Sequence, residues 1–355
     1  MKRGTHPVHK PIVFSAIILA VAGVIIAGAF SKVAHAADSS DYHLVKTVPV
    51  SGEGGWDYLT IDSSARRLYI SRGTHVAVMD TDTYAVVGDI PDTQGVHGIA
   101  LAPDLGRGFT SNGRSNTVTV FDLKTLATLA TATTGDGPDA IVYDPASKRV
   151  FTFNGRAGTA TAIDAEKAGT RGVSGLTINL GGKPEFAVAD GEGHIYNNLE
   201  DKSLVLQIDS RTREILNRWP LQPCESPSGM AIDTQHRRLF IGCHNRLMAI
   251  MDADTGKVVA TVPIGEGVDA NSFDPSAQLA FASNGDGTLT VVHEDSPDEY
   301  TVVKDVATRK SARTMALDPK THNIFLPAAD FGAPTPGQHW PSVKPGTFVI
   351  LVFGK

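Results

Sequence analysis

Several features that mark common protein classes are absent from this 355-residue sequence. It has no His-Glu-x-x-His, no Gly-x-Ser-x-Gly, no phosphate-binding glycine loop and no Cys-x-x-Cys-His for covalent haem. Aromatic residues make up only 7%, and cysteine occurs twice. Lys and Arg number 32 against 38 Asp and Glu, without a block of like charge. These counts disfavour a nucleic-acid partner and leave no recognised catalytic signature.

The amino terminus is the one long apolar segment. Lys2, Arg3 and Lys10 precede an uncharged apolar run over 12–30, and Ala-His-Ala follows at 34–36. This order predicts a signal peptide over 1–36, cleaved after Ala36, and a short linker over 37–42. An uncleaved membrane anchor is the alternative, because the run is almost long enough to span a bilayer. In both cases the rest of the chain is expected to be periplasmic or secreted.

Glycine, by contrast, is plentiful at 35 residues, and it recurs with proline and aspartate in a repeated phrase. Gly95–Asp104 is followed by similar phrases at 137–146, 226–235 and 267–276. Aligning the phrases gives one equivalent residue per unit, at spacings of 40 to 46 residues: Asp57, His97, Asp139, Glu185, Ser228, Asp269 and Arg313. Between these positions lie short β-branched runs bounded by turn residues, the pattern of strands rather than helices.

Four strands per unit at this period predict an all-β, seven-bladed β-propeller with four antiparallel strands in each blade. The seventh unit lacks a fourth strand before the chain ends at Lys355. The segment over about 43–50 resembles the fourth strands of other units, so it is predicted to pair with the last blade and close the ring. The prediction is one propeller domain over 43–355, and a monomer is expected.

These repeats resemble those of the YVTN-repeat (YncE-like) seven-bladed propeller family. The strongest matches are "GPDAIVYDPASKRVFTFNGRAGTATAID" at 137–164 and "DPSAQLAFASNGDGTLTVV" at 274–292. The resemblance covers about 43–355 and implies the fold. It implies little about chemistry, because one fold hosts many functions.

The seven aligned residues are expected to form a ring at the mouth of the central channel, with a formal charge of −3. Four converging carboxylates repel one another unless a cation, Arg313 or protonation offsets them. We therefore predict a site for a small polar or cationic ligand, or for Ca²⁺ or Mg²⁺. The metal candidates are Asp57, Asp139, Glu185 and Asp269. The alternative is that each side chain only hydrogen-bonds the backbone of its own turn.

Loops on the same face supply further candidate contacts. Unit 7 has an insertion over 329–346 between its second and third strands, rich in Pro and Gly, that is either a lid or a packed surface loop. The remaining candidates come from Asn-Gly turns and this insertion: Asn112, Arg114, Asn154, Arg156, Asn284, His339 and Trp340.

The two cysteines, Cys224 and Cys243, both lie in unit 5. Hairpin pairing of its first two strands would place Ser228 opposite about Cys243, with Cys224 nearby. A disulfide is the favoured prediction in an oxidising compartment. A metal site with His244 is the alternative.

Three functions are compatible with these features. The first is an exported, non-catalytic binding or scaffold protein that holds a small polar ligand or an envelope protein at the channel mouth. The second, implied by related propellers, is a Ca²⁺- or Mg²⁺-dependent lactonase or lyase that uses the carboxylate ring. The third is an accessory protein of a periplasmic redox enzyme.

Overall fold

The computed structural model describes Met1 and residues 41–169, 175–333 and 342–355. The predicted signal segment beyond Met1 and residues 37–40 of the predicted linker lie outside the described residues. Within the described part, no helix is long and apolar enough to cross a membrane. The described residues are mostly in β-strands. They also contain two short 3₁₀ helices, at Pro103–Leu105 and Glu200–Lys202.

The strands form seven four-stranded antiparallel sheets, which confirms the predicted seven-bladed propeller. The chain begins with β1 (His43–Pro49), which belongs to the last blade. Blades 1 to 3 consist of β2 (Leu59–Asp62), β3 (Arg67–Ser71), β4 (Val76–Asp80) and β5 (Val86–Ile90); β6 (Val96–Ala102), β7 (Arg107–Asn112), β8 (Thr117–Asp122) and β9 (Thr128–Thr133); β10 (Pro138–Asp144), β11 (Arg149–Asn154), β12 (Thr159–Asp164) and β13 (Leu176–Asn179).

Blades 4 to 7 repeat the arrangement. They consist of β14 (Pro184–Ala189), β15 (His194–Leu199), β16 (Leu204–Asp209) and β17 (Ile215–Pro220); β18 (Pro227–Asp233), β19 (Arg238–Cys243), β20 (Leu247–Asp252) and β21 (Val258–Pro263); β22 (Val268–Asp274), β23 (Leu279–Asn284), β24 (Thr288–Ser296) and β25 (Glu299–Ala307); β26 (Ala316–Leu317), β27 (Ile324–Ala328) and β28 (Val349–Gly354) with β1. Strand β13, a weak and exposed fourth strand, was not identified in the sequence.

The ring closes as predicted. Strand β1 pairs antiparallel with β28, with Val48 opposite Ile350 and Thr47 opposite Leu351, so the seventh sheet combines both ends of the chain. This pairing supplies the β28 backbone with hydrogen-bond partners that an open edge would lack. The insertion of unit 7 lies between β27 and β28, and its central residues 334–341 are outside the described part.

One buried aromatic side chain in the second strand of every blade packs into the neighbouring blade. Each is fully buried, and each belongs to a different one of the seven apolar clusters: Tyr69, Phe109, Phe151, Tyr196, Phe240, Phe281 and Phe325. Phe151 of blade 3, for example, contacts the cluster that includes Ile195 and Leu206 of blade 4. The core is therefore distributed over seven interfaces between sheets, and each interface contains one of these second-strand aromatic side chains.

The aspartates that end the first strands stabilise the turns that follow them. Asp62 accepts hydrogen bonds from the backbone N–H groups of Ser64 and Ala65 at 3.0 and 2.9 Å. Hydrogen bonds from the backbone N–H group two or three residues further on recur in the other blades that have this residue, at Asp144, Asp190, Asp233, Asp274 and Asp318. These carboxylates shape the lower face. The opposite face, where the first strands begin and the second strands end, is called the upper face below.

Candidate functional site at the channel mouth

The first strands of adjacent blades lie side by side around the axis, so the residues that begin them converge on the upper face. Side chains from the second strands hold the backbone of these residues. Ser283 donates to the Arg313 carbonyl oxygen at 2.6 Å, and Asn198 donates to that of Ser228 at 2.7 Å. Ser111 likewise donates to the carbonyl oxygen of Asp139. Hydrogen bonds between neighbouring blades thus position the ring.

Six of the seven predicted ring residues form one continuous chain of contacts. His97 Nδ1 lies 2.6 Å from Asp57 Oδ2 and 3.5 Å from Asp139 Oδ1. Arg313 Nη1 lies 3.6 Å from Asp57 Oδ1 and also pairs closely with Asp269. At the far end, Ser228 Oγ donates to Asp269 Oδ1 at 2.8 Å. We call these six residues together with Glu185 the mouth ring.

Glu185 is separate from this chain and has its own cation. Lys183 Nζ lies 3.9 Å from Glu185 Oε2 and also pairs with Glu200. Burial raises the pKa of Glu185 well above its usual value, and the charge of Asp139 adds to the effect. The raised pKa shifts Glu185 toward its protonated form, in which the carboxyl group can donate a hydrogen bond to a ligand.

The charges at the centre of the ring are coupled. Burial disfavours the charged forms of both Asp57 and His97 and is the largest single influence on each, but the hydrogen bond between them and the charges of neighbouring ring residues together outweigh it. As a result the pKa of Asp57 is lowered and that of His97 is raised to about 9. Burial raises the pKa of Asp139 to about 6, although the charge of His97 opposes the shift. The favoured state at neutral pH has His97 charged between two carboxylates.

Two aromatic residues that sequence reasoning missed lie beside the ring. The rings of Tyr58, from blade 1, and Phe186, from blade 4, meet edge to face with centroids 5.1 Å apart. Burial raises the pKa of the Tyr58 hydroxyl well above its usual value, and the charges of Asp139 and Glu185 reinforce this. Each aromatic residue directly follows a ring residue in the sequence, which is the only signal that could have revealed them.

The predicted set of four metal-binding carboxylates is not assembled as expected. Within the described residues, the ligand atoms of Asp57, His97 and Asp139 lie within 4.8 Å of one another. Asp269 and Glu185 are not part of this group, and they pair with Arg313 and Lys183. One imidazole with two carboxylates suits Zn²⁺ or Mn²⁺ better than Ca²⁺, which prefers oxygen ligands.

Three predicted loop contacts are corrected by the structure. Asn112, Asn154 and Asn284 are fully buried at the ends of the second strands. Each donates through Nδ2 to two threonines of the next strand, as Asn112 does to Thr117 and Thr119 at 3.1 and 2.8 Å. They stabilise their own blades and cannot reach a ligand over the channel.

The other predicted loop contacts differ from one another in their positions. Arg156 links two blades, donating to the Gly113 carbonyl oxygen at 2.6 Å and to Asp136 at 3.0 Å. Arg114 lines a large cleft on the upper face. His339 and Trp340 lie outside the described residues.

This cleft, with a volume of about 1310 Å³, adjoins the mouth ring and shares Arg313 with it. Its walls come from the segment before β2, the ends of blades 6 and 7, and the described parts of the unit 7 insertion. Trp56, Phe331 and Phe348 supply an aromatic wall. A concave, partly apolar site with convergent polar groups is the usual form of a small-molecule site.

Cys224 and Cys243 are joined in a disulfide, with Cα atoms 5.7 Å apart, as predicted. Both are buried, and the bond excludes the alternative metal site with His244. Strand pairing places Pro227, rather than Ser228, opposite Cys243. The one-residue difference coincides with a register shift in this hairpin.

No protein-family model matches the chain. No curated protein matches it either. Among solved structures, it is similar to "Structure of U3-55K" and "Crystal structure of RRP9 WD40 repeats", each with 9% identity and a TM-score of 0.73 over 89% of this chain and 98% of the other. A chain of "Crystal Structure of Mitotic Checkpoint Complex" has 13% identity and a TM-score of 0.72, covering 95% and 99%. At such identities these similarities show the propeller fold and no more.

Proposed function

We propose that this protein is an exported, non-catalytic binding propeller that holds a small polar ligand or an envelope protein at the channel mouth. The observation that carries the proposal is the large cleft that opens beside the mouth ring and shares Arg313 with it. Because protein cations already neutralise most of the ring carboxylates, the ring resembles a preorganised polar wall more than a metal centre. Membership of the YVTN-repeat family is part of this proposal.

Export is supported by two independent features. The amino-terminal sequence has the basic, apolar and small-residue order of a signal peptide. The disulfide between Cys224 and Cys243 belongs to an oxidising compartment such as the periplasm or the extracellular medium.

A thermal-shift screen tests the binding function. Sugars, amino acids, polyamines and carboxylic acids are applied to the wild type, to Arg313→Gln and to Lys257→Gln, which alters an exposed residue on the lower face. The proposal requires at least one compound that stabilises the wild type and Lys257→Gln but not Arg313→Gln. If no compound does so, or if Arg313→Gln responds equally, the channel mouth is not the binding site.

The cluster of Asp57, His97 and Asp139 favours a second candidate function, a metal-dependent hydrolase. In that case the three side chains would hold Zn²⁺ or Mn²⁺, which polarises a carbonyl group or activates water. Elemental analysis, followed by assays on lactones and aryl esters with and without EDTA, distinguishes the two functions. Metal-dependent turnover that is lost in Asp57→Asn would replace the binding proposal. Absence of turnover with all four metals, Ca²⁺, Mg²⁺, Mn²⁺ and Zn²⁺, would reject the hydrolase.

A further inference from the structure

The largest fully buried side chain in the described structure is an arginine that lacks an acidic partner. Arg72 follows β3 on the upper face, is 1% exposed and lines the cleft. Its Nη2 donates to the Gly52 carbonyl oxygen at 2.9 Å, and its guanidinium lies 3.6 Å from the centre of the Phe348 ring. Nε and Nη1 have no hydrogen-bond partner, and no carboxylate of the described residues pairs with Arg72.

Burying an unpaired guanidinium opposes folding. Contact with an aromatic face offsets part of the cost, but two unused donors still lose their hydration. Burial lowers the pKa of Arg72 to about 10, which leaves it charged at neutral pH. A buried cation without a counter-charge is therefore complementary to an anion that arrives from outside the chain.

A second unused donor lies in the same wall of the cleft. Trp56 Nε1 is buried and has no hydrogen-bond partner among the described residues. The Trp56 ring stacks on the Phe331 ring, with centroids 5.7 Å apart. Its centroid lies 5.3 Å from that of Phe348, the ring that the Arg72 guanidinium contacts. Three donor nitrogen atoms of Arg72 and Trp56 thus border one aromatic corner, and none has an acceptor among the described residues.

The surroundings of this corner favour an anion. Six basic and four acidic side chains line the cleft, although the whole chain has a formal charge of −6. Asp330 is paired with Arg309 at 2.5 Å, and Arg313 is paired with Asp269 of the mouth ring, so the other charged side chains of the lining are four basic and three acidic. The remaining positive potential would attract an anionic ligand to the cleft.

The glycine-rich segment that precedes Trp56 is shaped to cover Arg72. Gly52 and Gly54 have φ angles of 100° and 111°, a region that other residues rarely adopt. A Cβ atom on Gly54 would collide with the Arg72 carbonyl oxygen. Glycine is needed at position 54 for the close approach of this segment to the Arg72 backbone, and the Gly52 carbonyl oxygen accepts the hydrogen bond from Nη2.

We propose that this corner binds the carboxylate of a small aromatic acid, with the carboxylate on Arg72 and Trp56 Nε1 and the ring against Trp56 and Phe331. The inference rests on the proposed function, because it identifies the class of ligand that the cleft takes. An oxygen anion accepts hydrogen bonds in the plane of the guanidinium, where the Nε and Nη1 hydrogens of Arg72 lie.

Isothermal titration with three probes tests the proposed chemistry on the wild-type protein. Phenylacetate carries both the ring and the charge, phenylacetamide has the ring without the charge, and acetate has the charge without the ring. We expect phenylacetate to bind at least about tenfold more tightly than either analogue, because only it satisfies both the donors and the aromatic wall. Absence of binding at concentrations up to about 10 mM would overturn the proposal.

Two variants then locate the site. Arg72→Met replaces the guanidinium with an apolar chain and is expected to weaken phenylacetate binding at least about tenfold. Trp56→Phe keeps the aromatic stacking but removes Nε1, and it is expected to weaken binding several-fold. Trp219→Phe, which alters a tryptophan stacked on Tyr196 in blade 4, is the matched control and should bind as the wild type does.

Two variants are used so that the test remains decisive if one of them does not fold. If Arg72→Met does not fold, Trp56→Phe and its control still decide the outcome. Unchanged affinity in a folded Arg72→Met, or in Trp56→Phe, would overturn the carboxylate site. If the thermal-shift screen finds a ligand that depends on Arg313 while phenylacetate fails, only this inference is wrong, and the proposed function stands.

Discussion

The strongest test of the mouth ring is the pH dependence that His97 imposes on stability. Its imidazole lies 2.6 Å from Asp57 and 3.5 Å from Asp139, and its pKa is raised to about 9 from 6.5. A group whose pKa is higher in the folded state stabilises that state fully below the unfolded value. The contribution is therefore complete below pH 6.5 and is lost as the pH rises through about 9.

The size of this effect follows from the same shift. One pKa unit corresponds to about 1.4 kcal/mol, so the full shift would contribute at most about 3 kcal/mol. Because the His97 side chain is 37% exposed, solvent screening reduces this, and we expect about 1 to 2 kcal/mol. Asp139, with a pKa of about 6, is ionised through most of the range between pH 6.5 and 9 and adds little to the change of stability with pH.

The assay is denaturant unfolding of the wild type, His97→Gln and His244→Gln at several pH values from about 6 to about 10. His244 is exposed, and its variant retains the other titrating groups. The free energy of unfolding of the wild type and of His244→Gln should fall across this pH range. That of His97→Gln should be lower at pH 6 and should fall by about 1 to 2 kcal/mol less. Equal slopes for all three proteins would refute a charged His97 held between the two aspartates.

Four further changes test the fold and the cleft. Phe151→Ala should lower the free energy of unfolding by about 3 to 5 kcal/mol, because it empties an interface between blades; a loss below about 1 kcal/mol in denaturant unfolding would contradict the packing. Reducing the Cys224–Cys243 disulfide should cost about 3 kcal/mol in the chain-entropy model, measured by unfolding with and without reductant, and an unchanged midpoint would argue against it. Deletion of residues 43–50 should expose β28 and cause association that light scattering detects, whereas a stable monomer would show that closure is dispensable. Arg72→Met should change the free energy of unfolding by no more than about 1 kcal/mol, since the lost ring contact offsets the relief of unpaired donors, and a loss above about 3 kcal/mol would indicate a structural arginine.

Much of the fold was predictable because its determinants are local. Alternating β-branched runs, glycine turns and strand-ending aspartates such as Asp62 and Asp144 recur along the chain, and each specifies a strand or a turn without reference to distant residues. Closure by residues 43–50 was predictable from the number of strands. The last unit lacks a fourth strand, and the segment before the first unit supplies an additional one. Strand β13 was missed because its short, exposed sequence carries almost no periodicity.

The candidate site was predictable in position but not in chemistry. The repeat alone identifies the seven residues that begin the first strands, among them Asp57, His97 and Arg313. It does not reveal that His97 bridges two aspartates or that Arg313 turns toward Asp269, and it placed Asn112 on a loop rather than inside its blade. These outcomes depend on side-chain directions at the strand ends, which local patterns do not encode.

The sequence by itself thus determined the number of blades, the strand order within them and the pairing of the two chain ends, because periodicity and turn chemistry act over a few residues. Only the tertiary structure decided which charges neutralise one another and which have no acidic partner among the described residues, as Arg72 beside Phe348. Those relationships join residues of different blades, and for Arg72 and Phe348 they join opposite ends of the chain. They depend on the distances between side chains that closure of the propeller sets. Electrostatic and hydrogen-bond energies change steeply with those distances.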